Sequence, residues 1–261
     1  MLISRYEHER LTRVPDELIV EEPLEIRLDN HLVATTMRTP GEDFELAIGF
    51  CFSEGLLGDV PVTGSRYCAT GSAVEGEFNV VDVETGGRAP PPTPRLGLAT
   101  SSCGLCGSEA IDRLSRRWGR VVDASPFDPG VITAIARRVR SQQTLFDVTG
   151  GVHAAAAFDT GGELLAVRED IGRHNAVDKI LGSLVQGGRL PAGGCGLYVS
   201  GRSSFEIVQK AWAGGFAVIV SVSAPSALAA QTARRAGIGL YGFARDGDVN
   251  LYVEQGSGGR P

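Results

Sequence analysis

The sequence contains no apolar run that approaches the length of a membrane-spanning helix, which needs about 20 consecutive apolar residues. Its first residues, MLISRYEHERLTR, carry charges where a secretory signal would have its apolar stretch. Basic residues are not in excess, because 25 Lys and Arg stand against 31 Asp and Glu, for a net charge of -6. A general nucleic-acid-binding face needs a basic excess. We therefore predict a cytoplasmic protein with no membrane and no nucleic-acid partner.

Cysteines are few, and only two of them are close in sequence. The five are Cys51, Cys68, Cys103, Cys106 and Cys195. In the cytoplasm they would be reduced, so we do not expect a structural disulfide. Cys103 and Cys106 lie in TSSCGLCG (100–107), a stretch of small residues that precedes a predicted helix. Such a pair is suited to holding a metal, to redox exchange or to exposing a nucleophilic thiolate.

The hydrophobic pattern of the first third predicts a small α+β part over residues 1–87. Residues 18–36 alternate apolar and polar side chains around an Asp-Asn turn, which predicts a β-hairpin. Residues 41–57 have acidic residues in the first turn and an apolar face, which predicts a helix, and residues 78–84 are typical of a strand. The Pro/Gly-rich residues 88–99 predict a linker.

Residues 100–261 predict a second unit, formed by the cysteine loop and an α/β domain. From about residue 150, apolar runs of strand length alternate with helical patterns. This alternation predicts a mostly parallel sheet with helices on both faces. The last two strands are joined by the short turn RDGD (245–248) and are expected to be antiparallel. The predicted fold class is α/β, or α+β for the whole chain.

The cysteine pair does not complete the zinc site of a nucleoside deaminase. That chemistry uses the motifs H-x-E and P-C-x-x-C, with the glutamate as acid and base. In this chain His153 is followed by two alanines and comes after the cysteines, and no proline precedes Cys103. A thioredoxin-like pair would need a surrounding βαβ unit, which is predicted only downstream. A nucleophilic thiol on a bending loop fits better, and two inert, partly buried side chains are the alternative.

The segment LAVREDIGRHNAVDK (165–179) concentrates more charge than the capping of one helix needs. Its titratable residues are Arg168, Glu169, Asp170, Arg173, His174, Asp178 and Lys179. Ligands bind at the carboxyl ends of strands in open α/β sheets, where this segment is predicted to lie. Arg173 and Lys179 suit phosphates, and the acids suit ribose or base N–H groups. A solvated turn is the alternative.

Two further strand-to-helix junctions carry small polar residues. Ser200, Gly201, Arg202 and Ser203 precede a predicted helix in YVSGRSSFEIVQKA (198–211), which favours an anion site. The stretch lacks the glycine patterns of the P-loop and of dinucleotide folds. VSAPSAL (222–228) repeats the arrangement, although helix capping explains its serines equally well. Together the three junctions predict one crevice at a sheet edge.

Six motifs in this order resemble the FdhD family, the formate dehydrogenase accessory sulfurtransferases. They are SSCGLCG, TGGVHAAA, REDIGRHNAVDK, VSGRSSFEIVQKA, SAPSALA and GFARDGDVNLYV, and the resemblance spans nearly the whole chain. It implies a cytidine deaminase-like fold, with a mixed sheet and flanking helices, but without a metal. It also implies a homodimer.

The resemblance carries a functional expectation as well. Members of the family accept persulfide sulfur from a cysteine desulfurase. They pass it to the molybdenum cofactor, in its bis(molybdopterin guanine dinucleotide) form, and formate dehydrogenase becomes active. By the match of motifs, Cys103 is the persulfide residue, and Cys106 is expected to resolve the intermediate or release sulfide. Residues 243–248 fall where members contact the guanine dinucleotide.

Junctions and resemblance together predict one set of cofactor-binding residues. The set is Phe243, Ala244, Arg245, Asp246, Gly247, Asp248, His153, Arg168, Asp170, Arg173, His174, Asp178, Lys179, Ser200, Gly201, Arg202 and Ser203. Two other functions stay open at this point. One is a chaperone that binds and delivers the cofactor without transferring sulfur. The other is a zinc hydrolase, which would contain stoichiometric zinc.

Overall fold

The structure is a computed structural model, and it describes residues 1–68, 78–91, 107–121 and 125–257. The fold is mixed α+β, with three sheets and flanking helices in the described part of the chain. None of the described helices is both long and apolar enough to cross a membrane. Most of the predicted linker lies outside the described residues, so the division of the chain at residues 88–99 stays a prediction.

The chain begins with a hairpin that the sequence analysis did not predict. Strands β1 (Leu2–Glu7) and β2 (Arg10–Pro15) pair antiparallel and form a separate two-stranded sheet. His8 and Glu9 make the turn with positive φ angles of 46° and 66°. Nearly every side chain of the two strands is exposed. Neither face packs on a core, so the sequence lacks the alternation of apolar and polar residues that normally predicts a strand.

The second sheet belongs to the predicted N-terminal part. Its strands are β3 (Glu22–Leu28), β4 (His31–Arg38), β5 (Gly64–Tyr67) and β6 (Val80–Glu84), in the order β4-β3-β6-β5. The predicted hairpin is confirmed, although it starts at Glu22 and not at residue 18. Asp29 and Asn30 turn it with φ angles of 46° and 68°, as a two-residue hairpin loop requires.

Helix α1 (Asp43–Ser53) joins this part to the rest of the molecule by packing against helix α5 (Arg173–Gln186). The two helices touch through glycines. A Cβ at Gly49 would lie 1.8 Å from the carbonyl oxygen of Asp178, and a Cβ at Gly182 would lie 1.9 Å from that of Glu45. Only glycine allows the two backbones to come this close, so these residues fix the contact between the N-terminal part and the main sheet.

The main sheet has six strands in the order β12-β11-β10-β9-β7-β8. They are β7 (His153–Phe158), β8 (Leu164–Asp170), β9 (Gly196–Val199), β10 (Val218–Ser221), β11 (Gly239–Arg245) and β12 (Asp248–Val253).

The expectation of a mostly parallel sheet is wrong. Strands β9, β10 and β11 are parallel to one another, whereas β7 is antiparallel to both of its neighbours. A connection as short as residues 159–163 cannot make the crossover that parallel strands need. The predicted antiparallel pairing of the last two strands is confirmed.

Helices cover both faces of this sheet, as predicted. One face packs against α5, α6 (Phe205–Gly214) and α7 (Ala227–Ala236), with α2 (Gly107–Trp118) against the latter two. The other face packs against α3 (Pro129–Arg140) through Ile132, Ile135 and Val139. Neither α3 nor the short α4 (Thr144–Thr149) was predicted. The signal for α3 was present, since Asp128 caps the helix and Pro129 begins it.

Candidate functional site

The strand directions bring the predicted site residues to one edge of the main sheet. Because β7 is antiparallel to β8 and β9, its first residue lies beside their carboxyl ends, and His153 pairs with Asp170. The backbone N–H of Ser226 donates to the carbonyl oxygen of Ser203 at 3.0 Å, which ties the junction after β10 to the junction after β9. The loop that follows β11 reaches the same edge, since β11 is parallel to β10. The three junctions therefore meet, as expected.

Part of the charged segment 165–179 is paired with other protein groups, and Asp170, Asp178 and Lys179 lie in the interior while Arg168 is half-buried. The guanidinium of Arg168 makes two bonds to the carboxylate of Glu45 on α1, with an Nη2–Oε1 distance of 2.7 Å. Lys179 Nζ lies 3.0 Å from Asp170 Oδ2, and both side chains are fully buried. These residues are neither a solvated turn nor free to bind a ligand without breaking an ion pair. The ion pairs account for these charges without a cofactor. The predicted contact of these residues with a cofactor therefore stays a prediction.

Asp178 is occupied in the same way. Lys210 Nζ on α6 lies 2.8 Å from both of its carboxylate oxygens, and the Ser53 hydroxyl on α1 donates to it at 2.9 Å. Burial raises the pKa of the Asp178 carboxyl, against the lowering effect of Lys210 and Ser53. We call the pairs Glu45–Arg168, Asp170–Lys179 and Asp178–Lys210 the interior charge cluster. This cluster joins α1, α5 and α6.

Another part of the segment faces the loop before α6. A Cβ at Gly201 would lie 3.3 Å from Arg173 Cδ and 3.5 Å from His153 Cε1, so the loop backbone packs directly on both side chains. His153 Nδ1 lies 3.3 Å from Ser200 Oγ, and that hydroxyl also accepts the Ala154 N–H at 2.9 Å. Burial, followed by the charge of Arg173, lowers the pKa of His153. We call His153, Arg173, His174, Gly201 and Ser203 the Gly201 site.

His174 makes a second contact between α5 and α6. Its Nε2 lies 3.3 Å from Ser204 Oγ and 3.1 Å from a carboxylate oxygen of Glu206. Burial, with the positive charges of Arg173 and Lys210, lowers the pKa of His174 to about 4. Both partners meet the same ring nitrogen, and Ser204 Oγ also caps α6 by accepting the Ile207 N–H. A serine hydrolase needs its serine and its acid on opposite nitrogens, so this arrangement is not a catalytic triad.

Two polar atoms of the Gly201 site have no hydrogen-bond partner among the residues that the structure describes. They are Arg173 Nε and Ser203 Oγ, both buried at the atom level, and the whole of Ser203 is 0% exposed. The neighbouring Arg202 is exposed. Since most buried polar groups in folded proteins are satisfied, two such donors from the adjacent junctions after β8 and β9 single out this part of the edge.

The loop from β11 to β12 holds the remaining predicted residues. Phe243 has a φ angle of 56°, which is unusual for a bulky residue, and its N–H donates to the Ser223 carbonyl oxygen at 3.4 Å. Ala244 is buried, whereas residues 245–248 are exposed. The Arg245 guanidinium lies 5.8 Å from the centroid of the Phe243 ring. The segment therefore presents a strained aromatic residue and exposed polar groups, a combination found at ligand-binding loops.

Cys103 and Cys106, the predicted sulfur-handling residues, lie outside the described residues. Helix α2 begins at Gly107, immediately after Cys106, as predicted. The other three cysteines are poor candidates for thiol chemistry. Cys51 and Cys68 are buried, and Cys195 is half-buried. Burial raises the pKa of the Cys51 and Cys195 thiols, which disfavours the reactive thiolate.

No group of three or more His, Cys, Asp or Glu side chains that could hold a metal ion occurs within the described ranges. Three of the residues that the sequence analysis missed, namely Lys210, Ser204 and Glu206, have recognisable signals. Lys210 is the single cation on an otherwise apolar buried face of α6. Ser204 and Glu206 stand at the positions where a cap and a first-turn acid belong.

Comparison with known proteins decides the family. The model of the FdhD/NarQ family matches residues 19–257. The chain belongs to the FdhD/NarQ family. The family match includes the Gly201 site and all of the strands that position it, and it leaves out the N-terminal hairpin.

Curated relatives support this membership. The sulfur carrier protein FdhD of Streptomyces avermitilis is 47% identical over 250 residues, which cover 92% of this chain and 88% of the relative. The protein of the same name from Mycobacterium tuberculosis is 44% identical over 251 residues, which cover 92% of this chain and 90% of the relative. A solved structure from Desulfotalea psychrophila, provisionally assigned as a formate dehydrogenase accessory protein, has a TM-score of 0.75 at 22% identity, covering 97% of this chain and 95% of that chain. At this identity the structure supports the fold alone.

Proposed function

We propose that this FdhD/NarQ family member carries sulfur as a persulfide on Cys103. It would deliver that sulfur to the molybdenum cofactor, in its bis(molybdopterin guanine dinucleotide) form, for use by formate dehydrogenase. The observation that carries the proposal is the similarity, at 47% identity over 92% of the chain, to a protein named for sulfur carriage. The burial of Cys51 and Cys68 and the half-burial of Cys195 support the proposal, since they make the CxxC pair the better candidates for an accessible thiolate.

In the loading step, the Cys103 thiolate attacks the outer sulfur of a persulfide on a cysteine desulfurase. A bond forms between Cys103 Sγ and that sulfur, and the desulfurase cysteine leaves as a thiolate, so no external oxidant is needed. The position of the pair just before α2 favours the thiolate, because a helix N-terminus stabilises negative charge.

In the delivery step, Cys106 attacks Cys103 Sγ and releases the outer sulfur as sulfide for the cofactor. A Cys103–Cys106 disulfide forms, and a thiol reductant must supply two electrons before the next cycle. The exposed segment 245–248 and the Gly201 site would bind the cofactor at the sheet edge, with helix N-termini and Arg173 facing its phosphates.

The test is mass spectrometry of the purified protein after incubation with a cysteine desulfurase and free cysteine. We expect a gain of one sulfur on the peptide that contains Cys103, lost in Cys103→Ala and retained in Cys106→Ala. Cys195→Ala is the matched control, because it removes a half-buried cysteine and should load normally. In cells that lack their own sulfur carrier, Cys103→Ala should not restore formate dehydrogenase activity. Full restoration would refute the sulfur-carrier role and leave a cofactor chaperone as the alternative.

A further inference from the structure

We propose that the N-terminal hairpin is an arm that binds a second copy of this chain. The hairpin of each copy packs on residues 16–22 of the other. The described part of the chain exposes twelve large apolar side chains, and six of them lie within the first twenty residues. A concentration of exposed apolar side chains is typical of a surface that binds another protein. The six are Met1, Leu2, Tyr6, Leu11, Leu18 and Val20.

One face of the hairpin is apolar and uncovered. The register pairs Tyr6 with Leu11 and Leu2 with Pro15, and because alternate side chains of a strand lie on the same face, these four lie together. We call them the Tyr6 face. Tyr6 is 76% exposed, and the hydrophobic clusters of the described residues include no side chain of the hairpin. A two-stranded hairpin is at best marginally stable in water without a further layer on one face, so the Tyr6 face requires a partner.

Residues 16–22 form a second uncovered surface beside the hairpin. Ile19 holds this segment against the body of the molecule, since a Cβ at Gly151 would lie 3.3 Å from Ile19 Cγ2. Its neighbours Leu18 and Val20 are exposed. These three residues also make no backbone hydrogen bond to another described residue. The segment therefore offers apolar side chains and unpaired main-chain groups, the two features by which an extended segment accepts a strand from another protein.

The charges of the two surfaces are opposite. The hairpin carries three arginines against two glutamates, whereas residues 16–22, DELIVEE, contain four acids and no base. Arg10 and Arg13 are exposed and have no ion pair among the described residues, and the same is true of Glu17 and Glu21. A hairpin that reaches residues 16–22 brings basic groups to acidic ones, which favours this contact over one between two hairpins.

A second copy of the chain satisfies both surfaces at once. The main chains of Met1 and Asp16 make hydrogen bonds of 2.7 and 2.8 Å, so residues 16–22 begin at the open end of the hairpin. Within one copy the hairpin leaves this segment uncovered, since Leu18 is 64% exposed. A two-fold axis between two copies makes the two contacts equivalent and closes the assembly as a dimer. The inference does not rest on sulfur carriage, because it uses only the surface of the first 22 residues.

Sedimentation equilibrium of the full chain measures the dissociation constant of the dimer. We expect Tyr6→Ser combined with Leu11→Ser to raise this constant by about 100-fold or more, because aromatic and leucine side chains at the centre of an interface carry much of its affinity. The matched control is Leu251→Ser combined with Tyr252→Ser, which removes the same two residue types from exposed positions on β12 and should leave the constant unchanged. Circular dichroism checks that both variants keep the fold.

Two results of this experiment would overturn the proposal. One is a chain that stays monomeric at every concentration, which would leave the Tyr6 face to a different protein. The other is a hairpin variant that dimerises as tightly as the wild-type chain or no worse than the control variant.

A charge exchange tests which surfaces meet. Arg10→Glu with Arg13→Glu reverses the charge of the hairpin, and Glu17→Lys with Glu21→Lys reverses that of residues 16–22. Each variant alone places like charges in both contacts, so its dissociation constant should rise by about 10-fold or more. A mixture of the two variants has opposite charges in both contacts and should dimerise within about 3-fold of the wild-type constant. If the mixture dimerises no better than either variant alone, the hairpin does not bind residues 16–22 and the proposal is wrong.

Discussion

Two groups of polar side chains each draw residues from the segment 165–179, and the protein uses them in opposite ways. The interior charge cluster pairs every one of its charges within the protein, with Lys179 and Asp170 both fully buried. The Gly201 site takes Arg173 and His174 from the same segment, and two of its buried donors have no partner among the described residues. The comparison shows that density of charge in a sequence does not reveal its use. A structural role is distinguished from a binding role by whether another group of the protein pairs with the charged or polar side chain.

The largest effect is expected where a pair in the interior charge cluster is broken. Asp178→Ala would leave Lys210, which is 5% exposed, with only the more distant Glu54 carboxylate at 3.8 Å, and should lower the free energy of unfolding by about 3 kcal/mol. Urea denaturation checks this, followed by the fluorescence of the two tryptophans. Trp212 lies on α6 with Lys210, and its ring centroid is 6.3 Å from that of Trp118.

The control for this prediction removes both charges at once. Asp178→Leu combined with Lys210→Met removes both ions of the Asp178–Lys210 pair and should recover most of the lost stability. A loss below about 1 kcal/mol in Asp178→Ala would mean that water reaches Lys210, and that the cluster is not the rigid join between α1, α5 and α6 that its burial indicates.

Much of the fold was predictable because its signals are local. Helix α5 extends from Arg173 to Gln186, over the whole helical repeat of that stretch, and Gly237 ends α7 with a φ angle of 80°, the left-handed conformation in which glycine commonly ends a helix. The turn at Asp29 and Asn30 is equally local. The N-terminal hairpin was missed because its side chains are exposed on both faces, which removes the alternation that marks a strand.

The position of the candidate site was predictable from the sequence. Which of its residues form ion pairs inside the protein was not. The carboxyl ends of strands meet at one edge, so Ser200, Arg173 and Asp170 were expected near one another. That Lys179 and Asp178 turn inward depends on α1, which comes more than a hundred residues earlier in the chain. Only the tertiary contact at Gly49 and Gly182 reveals that partner. Long-range pairing of this kind leaves no periodic trace in a single sequence.

An intermediate effect is expected from His174, at the boundary of the two groups. Its pKa is about 4 in the folded protein against an ordinary value of 6.5. Between these values the unfolded chain binds a proton that the folded protein does not, so stability is lost as the pH falls from about 6.5 to 4. Replacing His174 with Gln should remove about 1–2 kcal/mol of the difference in unfolding free energy between pH 7.5 and pH 5. Equal pH dependence in both proteins would show that folding does not lower the pKa of His174.

The smallest effect on stability, and the sharpest contrast with the interior charge cluster, is expected at Ser203. Its hydroxyl has no partner to lose, so Ser203→Ala should leave the free energy of unfolding unchanged or raise it by up to about 1 kcal/mol. Ser226→Ala makes the same chemical change at a serine whose Oγ accepts the Ala229 N–H at 3.1 Å and caps α7, and it should destabilise the protein by about 1 kcal/mol. Thermal unfolding of the two variants in phosphate-free buffer measures the difference. If both substitutions destabilise the protein equally, Ser203 Oγ has a hydrogen-bond partner within the folded protein, and the contrast with the interior charge cluster is wrong.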